Sequence, residues 1–136
     1  MAERRGLPLN VSPKFYPVDP AFADLVAVAL IAEGQSPLDF MDKVLSGYWA
    51  REEDISDRLQ IETYLGELGF DAATIMARAE APESAAARKA NAGAAVAASL
   101  PGVPGFVLNG EPFFGQDRID DLEHALDSGR APYRVG

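Results

Sequence analysis

The chain contains no cysteine among its 136 residues. Disulfides, thiolate metal ligands and dithiol chemistry performed by this chain alone are therefore excluded. A single histidine, His124, leaves no basis for a His-rich zinc centre. Basic residues are also scarce: 12 Lys and Arg face 21 Asp and Glu, for a net charge of −9. Such a chain repels phosphate backbones, and its basic groups, Arg4-Arg5 and Arg88-Lys89, are too small for a nucleic-acid patch or an anionic-membrane anchor. The longest apolar stretch, Leu25 to Ala32, cannot span a bilayer, and the first residues lack the apolar core of a secretory signal. The expectation is one soluble, cytoplasmic domain with neither a nucleic-acid nor a membrane partner.

What is present is mostly helix-forming. Residues 1–18 carry Pro8, Pro13 and Pro17 and read as an extended surface segment, with Leu7, Leu9 and Val11 alternating as a short edge strand would. Residues 19–100 read as a helical domain with short loops. Asp19-Pro20 opens a first helix that Gly34 closes, and Ser36-Pro37 opens a second with the stripe Leu38, Met41, Val44, Leu45, which Gly47 ends or loosens. The acidic run Arg51 to Asp54 is expected to be a solvated loop, with no ligand spacing for a cation in Glu52, Glu53 and Asp54. Asp54 or Ser56 caps a third helix, about 57–68, with the stripe Leu59, Ile61, Leu65, Leu68; Asp71 caps a fourth; Pro82 opens an alanine-rich fifth that runs to about Leu100.

The pattern changes over residues 101–129. Phe106-Val107-Leu108 has strand character, Asn109-Gly110 is a strong hairpin turn, and Pro112-Phe113-Phe114 is a return strand on an edge. Gln116-Asp117 starts a last helix with the stripe Ile119, Leu122, Ala125, Leu126, closed by Gly129; residues 130–136 read as a loose tail. The fold class is mainly α with a small β-hairpin.

The segment GVPGFVLNGEPFFGQDRIDDLEHAL, Gly102 to Leu126, resembles the end of 2-hydroxychromene-2-carboxylate isomerases and kappa-class glutathione transferases, in the DsbA-like branch of the thioredoxin fold. YWAREEDISD (Tyr48 to Asp57), GFDAATIMARA (Gly69 to Ala79) and the alanine-rich helix follow the family's order and spacing, so the resemblance covers about residues 15–127. Gly105 departs from the threonine that usually follows the proline. The family begins with a strand, a helix and a second strand, and its catalytic serine, cysteine in redox relatives, lies just after the first strand. Residues 1–18 cannot supply a βαβ unit, which needs roughly 30 residues. The resemblance thus implies a helical insertion plus the ββα half of a thioredoxin-like domain, without the N-terminal βαβ half and with no catalytic residue in this chain.

The same resemblance implies the site. It makes Val103-Pro104 a cis bond whose preceding N–H and C=O pair with an extended peptide such as glutathione. It assigns the Gln116-Asp117 turn to the γ-glutamyl end of glutathione, Asp117 meeting the amine, beside the bland reading in which Asp117 caps the helix. Tyr48 and Trp49 are candidates for an aromatic substrate pocket and are read as core or edge aromatics; His124 is read as solvated. The implied function is a glutathione-dependent isomerase of small aromatic carboxylates, incomplete and inactive alone. The alternatives are a DsbA-type thiol oxidoreductase fragment and a non-enzymatic helical interaction or dimerisation module. Unpaired hairpin edges and exposed Phe106, Leu108 and Phe113 are expected to make the chain a homodimer.

Overall fold

A computed structural model describes residues 3–133. Six α-helices and one two-stranded antiparallel sheet follow in the order α1 (Ala21–Ala32), α2 (Leu38–Ala50), α3 (Arg58–Glu67), α4 (Ala72–Glu80), α5 (Pro82–Ala97), β1 (Gly105–Leu108), β2 (Glu111–Phe114) and α6 (Ile119–Ser128). The mainly helical fold with one small hairpin is the one expected from the sequence. The chain forms two compact units, Met1–Arg88 and Lys89–Gly136, and the division falls inside α5, ahead of the residue-100 boundary read from the sequence.

In the first unit, short acidic side chains set the helix starts. Asp19 Oδ1 accepts the Ala21 N–H at 2.9 Å, Asp57 Oδ1 accepts Leu59 N–H at 3.0 Å, and Asp71 accepts both the N–H (3.2 Å) and the hydroxyl (2.8 Å) of Thr74. Each satisfies a donor that the first turn of a helix leaves free. The cap of α3 is thus Asp57 rather than Asp54 or Ser56; those two bond to each other in the preceding turn. Helices α1, α2, α3 and α4 pack around Val26, Leu30, Phe40, Ile61, Tyr64 and Leu65, all fully buried. Burial of an aliphatic side chain of this size contributes roughly 1.5–3 kcal/mol, so these positions hold the unit together.

The stripe expected for α2 is mostly on the exposed face, Val44 excepted, and that expected for α3 holds at Ile61, Leu65 and Leu68 but not at Leu59. In α2 the buried positions are Phe40, Val44, Gly47 and Tyr48, while Leu38, Met41 and Leu45 are exposed. In α3 they are Ile61, Tyr64 and Leu65, and Leu59 is exposed. Both sets obey helical spacing, and the aromatic rings, which bury more surface than leucine, decide which set turns inward. Gly47 does not end α2, which continues to Ala50. Nor is the N-terminal segment a strand: Glu3–Arg5 forms a 3-10 turn, and Asn10 N–H donates to Trp49 C=O at 2.6 Å, while Leu7, Leu9 and Val11 stay exposed. Helix α5 stops at Ala97, short of Leu100.

The second unit is built on the hairpin. Its register pairs Gly105 with Phe114, Phe106 with Phe113, Val107 with Pro112 and Leu108 with Glu111, across an Asn109-Gly110 turn in which both residues have positive φ (+52° and +87°). That geometry matches the right-handed twist of the strands and is tolerated by Asn and Gly. Directly opposed residues share a face. One face therefore carries Phe106, Leu108, Glu111 and Phe113, and α6 packs on β2. Phe113 is buried and Phe106 and Leu108 are partly covered, contrary to the expectation that these three stand exposed. The open face carries Val107 and Phe114 instead, 45% and 47% exposed. In α6 only Ala125 is buried; Leu126, expected in its stripe, is 57% exposed.

Candidate functional site

Val103, Pro104, Gln116 and Asp117 come from two segments separated by the whole hairpin. One backbone hydrogen bond joins them: Gly115 N–H donates to Pro104 C=O at 2.9 Å. It extends the ladder one pair beyond the Gly105–Phe114 pair, and so holds the loop before β1 beside the turn after β2. The Val103-Pro104 bond is cis. Val103 is 92% exposed, and Pro104, Gln116 and Asp117 are also exposed, so the four positions form an accessible surface within one unit.

The turn differs from the sequence reading in one respect. Gln116–Arg118 is a 3-10 turn, and α6 begins only at Ile119. No side-chain cap bond is made at the start of either element, so Asp117 is not the cap it was expected to be. Instead its Oδ1 lies close to the Cα of Gly115, where an added Cβ would sit 2.5 Å from it. Gly115 has φ +99°, which only glycine adopts freely, so backbone conformation and lack of side chain both keep this position open beside Asp117. Asp117 and Gln116 stand on the 3-10 turn that leads into α6, where the free backbone N–H groups ahead of the helix favour anionic groups.

A cavity of about 620 Å³ opens in the same unit between β2, α6 and the residues after α6, lined among others by Phe114, Arg118, His124, Arg130 and Tyr133. None of Val103, Pro104, Gln116 or Asp117 lines it. His124 is exposed at its rim, as the sequence reading has it. The segment after α6 is not a loose tail. Arg130 donates to both oxygens of Glu111 at 2.8 and 2.9 Å, Tyr133 N–H donates to Glu111 at 2.9 Å, and the guanidinium lies 4.1 Å from the Tyr133 ring centre. The hydrogen bonds from Arg130, against the opposing effect of burial, hold the Glu111 carboxyl below the usual range. Part of that tail reading, residues 134–136, lies outside the described residues.

In the first unit, Tyr48 is a core residue in edge-to-face contact with the half-buried Trp49, ring centres 4.9 Å apart, and Trp49 lines a mostly apolar cavity of about 420 Å³ with Leu7, Leu9 and Leu45. The acidic run is more than a solvated loop. Tyr64 Oη donates to Glu53 Oε2 at 2.5 Å, and Arg51 Nε donates to the same oxygen at 2.9 Å while its other nitrogens reach Ser46 Oγ (2.8 Å) and Lys43 C=O (3.0 Å). Burial would raise the Glu53 pKa, but the Arg51 and Tyr64 hydrogen bonds prevail and hold it low. Burial and the neighbouring carboxylate push the Tyr64 phenol up. Every member has a partner within the cluster, the pattern of a structural lock rather than of a free reactive group. The sequence signal was Glu53, eleven residues before Tyr64, but nothing local marks that pair. Among the described residues no three histidine or acidic side chains converge as a metal-ligand set, and no helix is long and apolar enough to cross a membrane.

The sequence profile of the DSBA-like thioredoxin domain matches residues 1–127. Among solved structures, that of a selenomethionine 2-hydroxychromene-2-carboxylate isomerase superposes with a TM-score of 0.73 at 21% identity, covering 93% of this chain. This chain spans 61% of that isomerase's length. At such identity the likeness establishes the fold. A search of curated proteins yields no match.

Proposed function

We propose that this chain, which belongs to the DSBA-like thioredoxin domain family, carries the glutathione-holding half of an isomerase of the 2-hydroxychromene-2-carboxylate type. The observation that carries the reading is the Gly115–Pro104 hydrogen bond, which sets Val103 and Pro104 next to Gln116 and Asp117. Glutathione is an extended peptide with a carboxylate and an ammonium at its γ-glutamyl end. Val103 offers backbone groups to an extended peptide, the first turn before α6 offers N–H donors to a carboxylate, and Asp117 offers an anion to the ammonium. Glutathione is the cofactor in this reading, and a small aromatic carboxylate is the substrate of the completed site. In the isomerase chemistry the glutathione sulfur adds to the substrate, a bond rotates and the sulfur leaves; this chain's part is to hold the peptide, not to position the thiolate.

The second reading is a DsbA-type dithiol oxidoreductase; the isomerase reading is preferred on the structural likeness to an isomerase of that type. The test is a titration of the 15N-labelled chain with glutathione. The amide signals of Val103, Gln116 and Asp117 should shift saturably, and Asp117→Asn should weaken the affinity about tenfold while leaving the spectrum of the first unit unchanged. Shifts scattered over both units, or none at millimolar glutathione, would rule the reading out. The chain assayed alone with glutathione and the chromene substrate should show no turnover above the uncatalysed rate.

A further inference from the structure

Two ties hold the loop that presents Val103, one at each end. Upstream, Leu100 N–H donates to Ala95 C=O at 3.0 Å across Ser99, whose φ is +57°, so the loop leaves the end of α5 in a fixed direction. Downstream, the Gly115–Pro104 bond fastens it to the hairpin. Between them stand Pro101, Gly102 and Val103. Proline has no N–H to give, and among the described residues neither Gly102 nor Val103 makes a backbone hydrogen bond. Such a segment keeps one conformation only if packed side chains offset the entropy of fixing it.

Two side chains are placed to do so. The Phe114 ring lies over Gly102, where an added Cβ would sit 3.1 Å from Cε2 and 3.5 Å from Cζ. The Leu100 side chain lies over Gly105, where a Cβ would sit 3.0 and 3.2 Å from its two methyl carbons and 3.0 Å from the Gly102 carbonyl oxygen. Neither glycine has a positive φ, so at both positions it is space, not a left-handed backbone, that favours glycine. Gly105, opposite Phe114 in the ladder, offers that ring no side chain, which leaves the ring free to rest on the loop.

The structure assigns to Phe114 and Leu100 the part of positioning residues: seated on Gly102 and Gly105, they hold loop 100–105 so that the Val103 backbone is set for an extended peptide before the peptide arrives. The role rests on the glutathione reading above. Strand-like pairing needs the Val103 N–H and C=O in one orientation, and a loop ordered in advance spares the cost of ordering it on binding. Neither side chain acts by touching the peptide itself.

The 15N-labelled 136-residue chain tests this in two steps. Without ligand, the Val103 amide should show an order parameter of about 0.85 in the wild type and fall below about 0.6 in Phe114→Ala, while amide exchange at Phe106 and Phe113 changes less than about twofold. With glutathione, the same variant should bind about tenfold more weakly. Gly102→Ala sets a methyl group against the ring and should loosen Val103 in the same way; adding Phe114→Leu makes room and should restore part of the order. Gly105→Thr should weaken binding, and adding Leu100→Ala should recover part of the loss. A Val103 as ordered in Phe114→Ala as in the wild type would overturn the inference. So would glutathione affinity that survives a loosened Val103, or single-variant losses that simply add in both double variants. A wild-type chain that binds no glutathione, although Phe114→Ala loosens Val103, would sink the site reading, and the positioning role falls with it. If Phe114→Ala fails to fold, the two double-variant comparisons decide.

Discussion

Replacing Gly47 by alanine pits two opposite effects against each other. Gly47 sits inside α2, three residues from its end, and an exposed glycine there would gain about 1 kcal/mol on becoming alanine, through helix propensity and a stiffer unfolded chain. Gly47 is buried, however, and a Cβ built on it overlaps Tyr64 Oη, stands 3.0 Å from Tyr64 Cζ and 2.7 Å from Glu53 Oε2. Tyr64 is 1% exposed and cannot swing into solvent without opening the core. Its ring must shift or α2 must move off α3, and overpacking of this kind costs about 1–3 kcal/mol. Either movement stretches the 2.5 Å hydrogen bond to Glu53. A bond to a charged acceptor is worth about 1.5–3 kcal/mol, and we take the lower end because the Glu53 side chain is 30% exposed. Subtracting the helix gain leaves a net loss of about 2–3 kcal/mol. For a unit of this size that is a fall of roughly 10–20 °C in melting temperature, read by far-ultraviolet circular dichroism. Adding Tyr64→Phe should recover part of the loss, since it removes the overlapping oxygen. A neutral or stabilising Gly47→Ala, or a double variant worse than the sum of the singles, would refute the packing argument.

Three further outcomes concern the second unit. Arg130→Ala should release residues 130–133, with exchange of the Tyr133 amide rising to that of an unstructured chain. The wild type should show the same release on acidification: a depressed Glu111 pKa means the contact is complete above the unfolded carboxyl value of about 4.3 and is lost as pH falls through the lower folded value. Asn109→Val places a β-branched residue at φ +52°, costing about 1–2 kcal/mol, and should loosen the whole hairpin, seen as faster exchange at Phe106 and Phe113.

Helix starts and the hairpin were legible because they are local. Asp19 and Asp71 reach donors two or three residues away, and Asn109-Gly110 needs only its own positive φ. The DsbA-like fold was legible from the ordered run of motifs through Gly102–Leu126. The proposed site residues Val103, Pro104, Gln116 and Asp117 stand in the sequence as separate segments; the Gly115–Pro104 bond that joins them spans the hairpin and exists only once it closes.

Composition and spacing determined by themselves that the chain is helical, acidic, without thiol chemistry of its own, and carries one hairpin. Which face of α2 turns inward was decided in three dimensions, because Leu38-Met41-Leu45 and Phe40-Val44-Tyr48 both fit a helical period and only the packing of a neighbour separates them. The same holds for charge. Glu53 and Glu111 look like ordinary surface carboxylates in one dimension, and become anchors because Tyr64 and Arg130, eleven and nineteen residues away, arrive at hydrogen-bonding distance only in the folded chain. A long-range polar contact leaves no periodicity behind, so tertiary structure alone could place it.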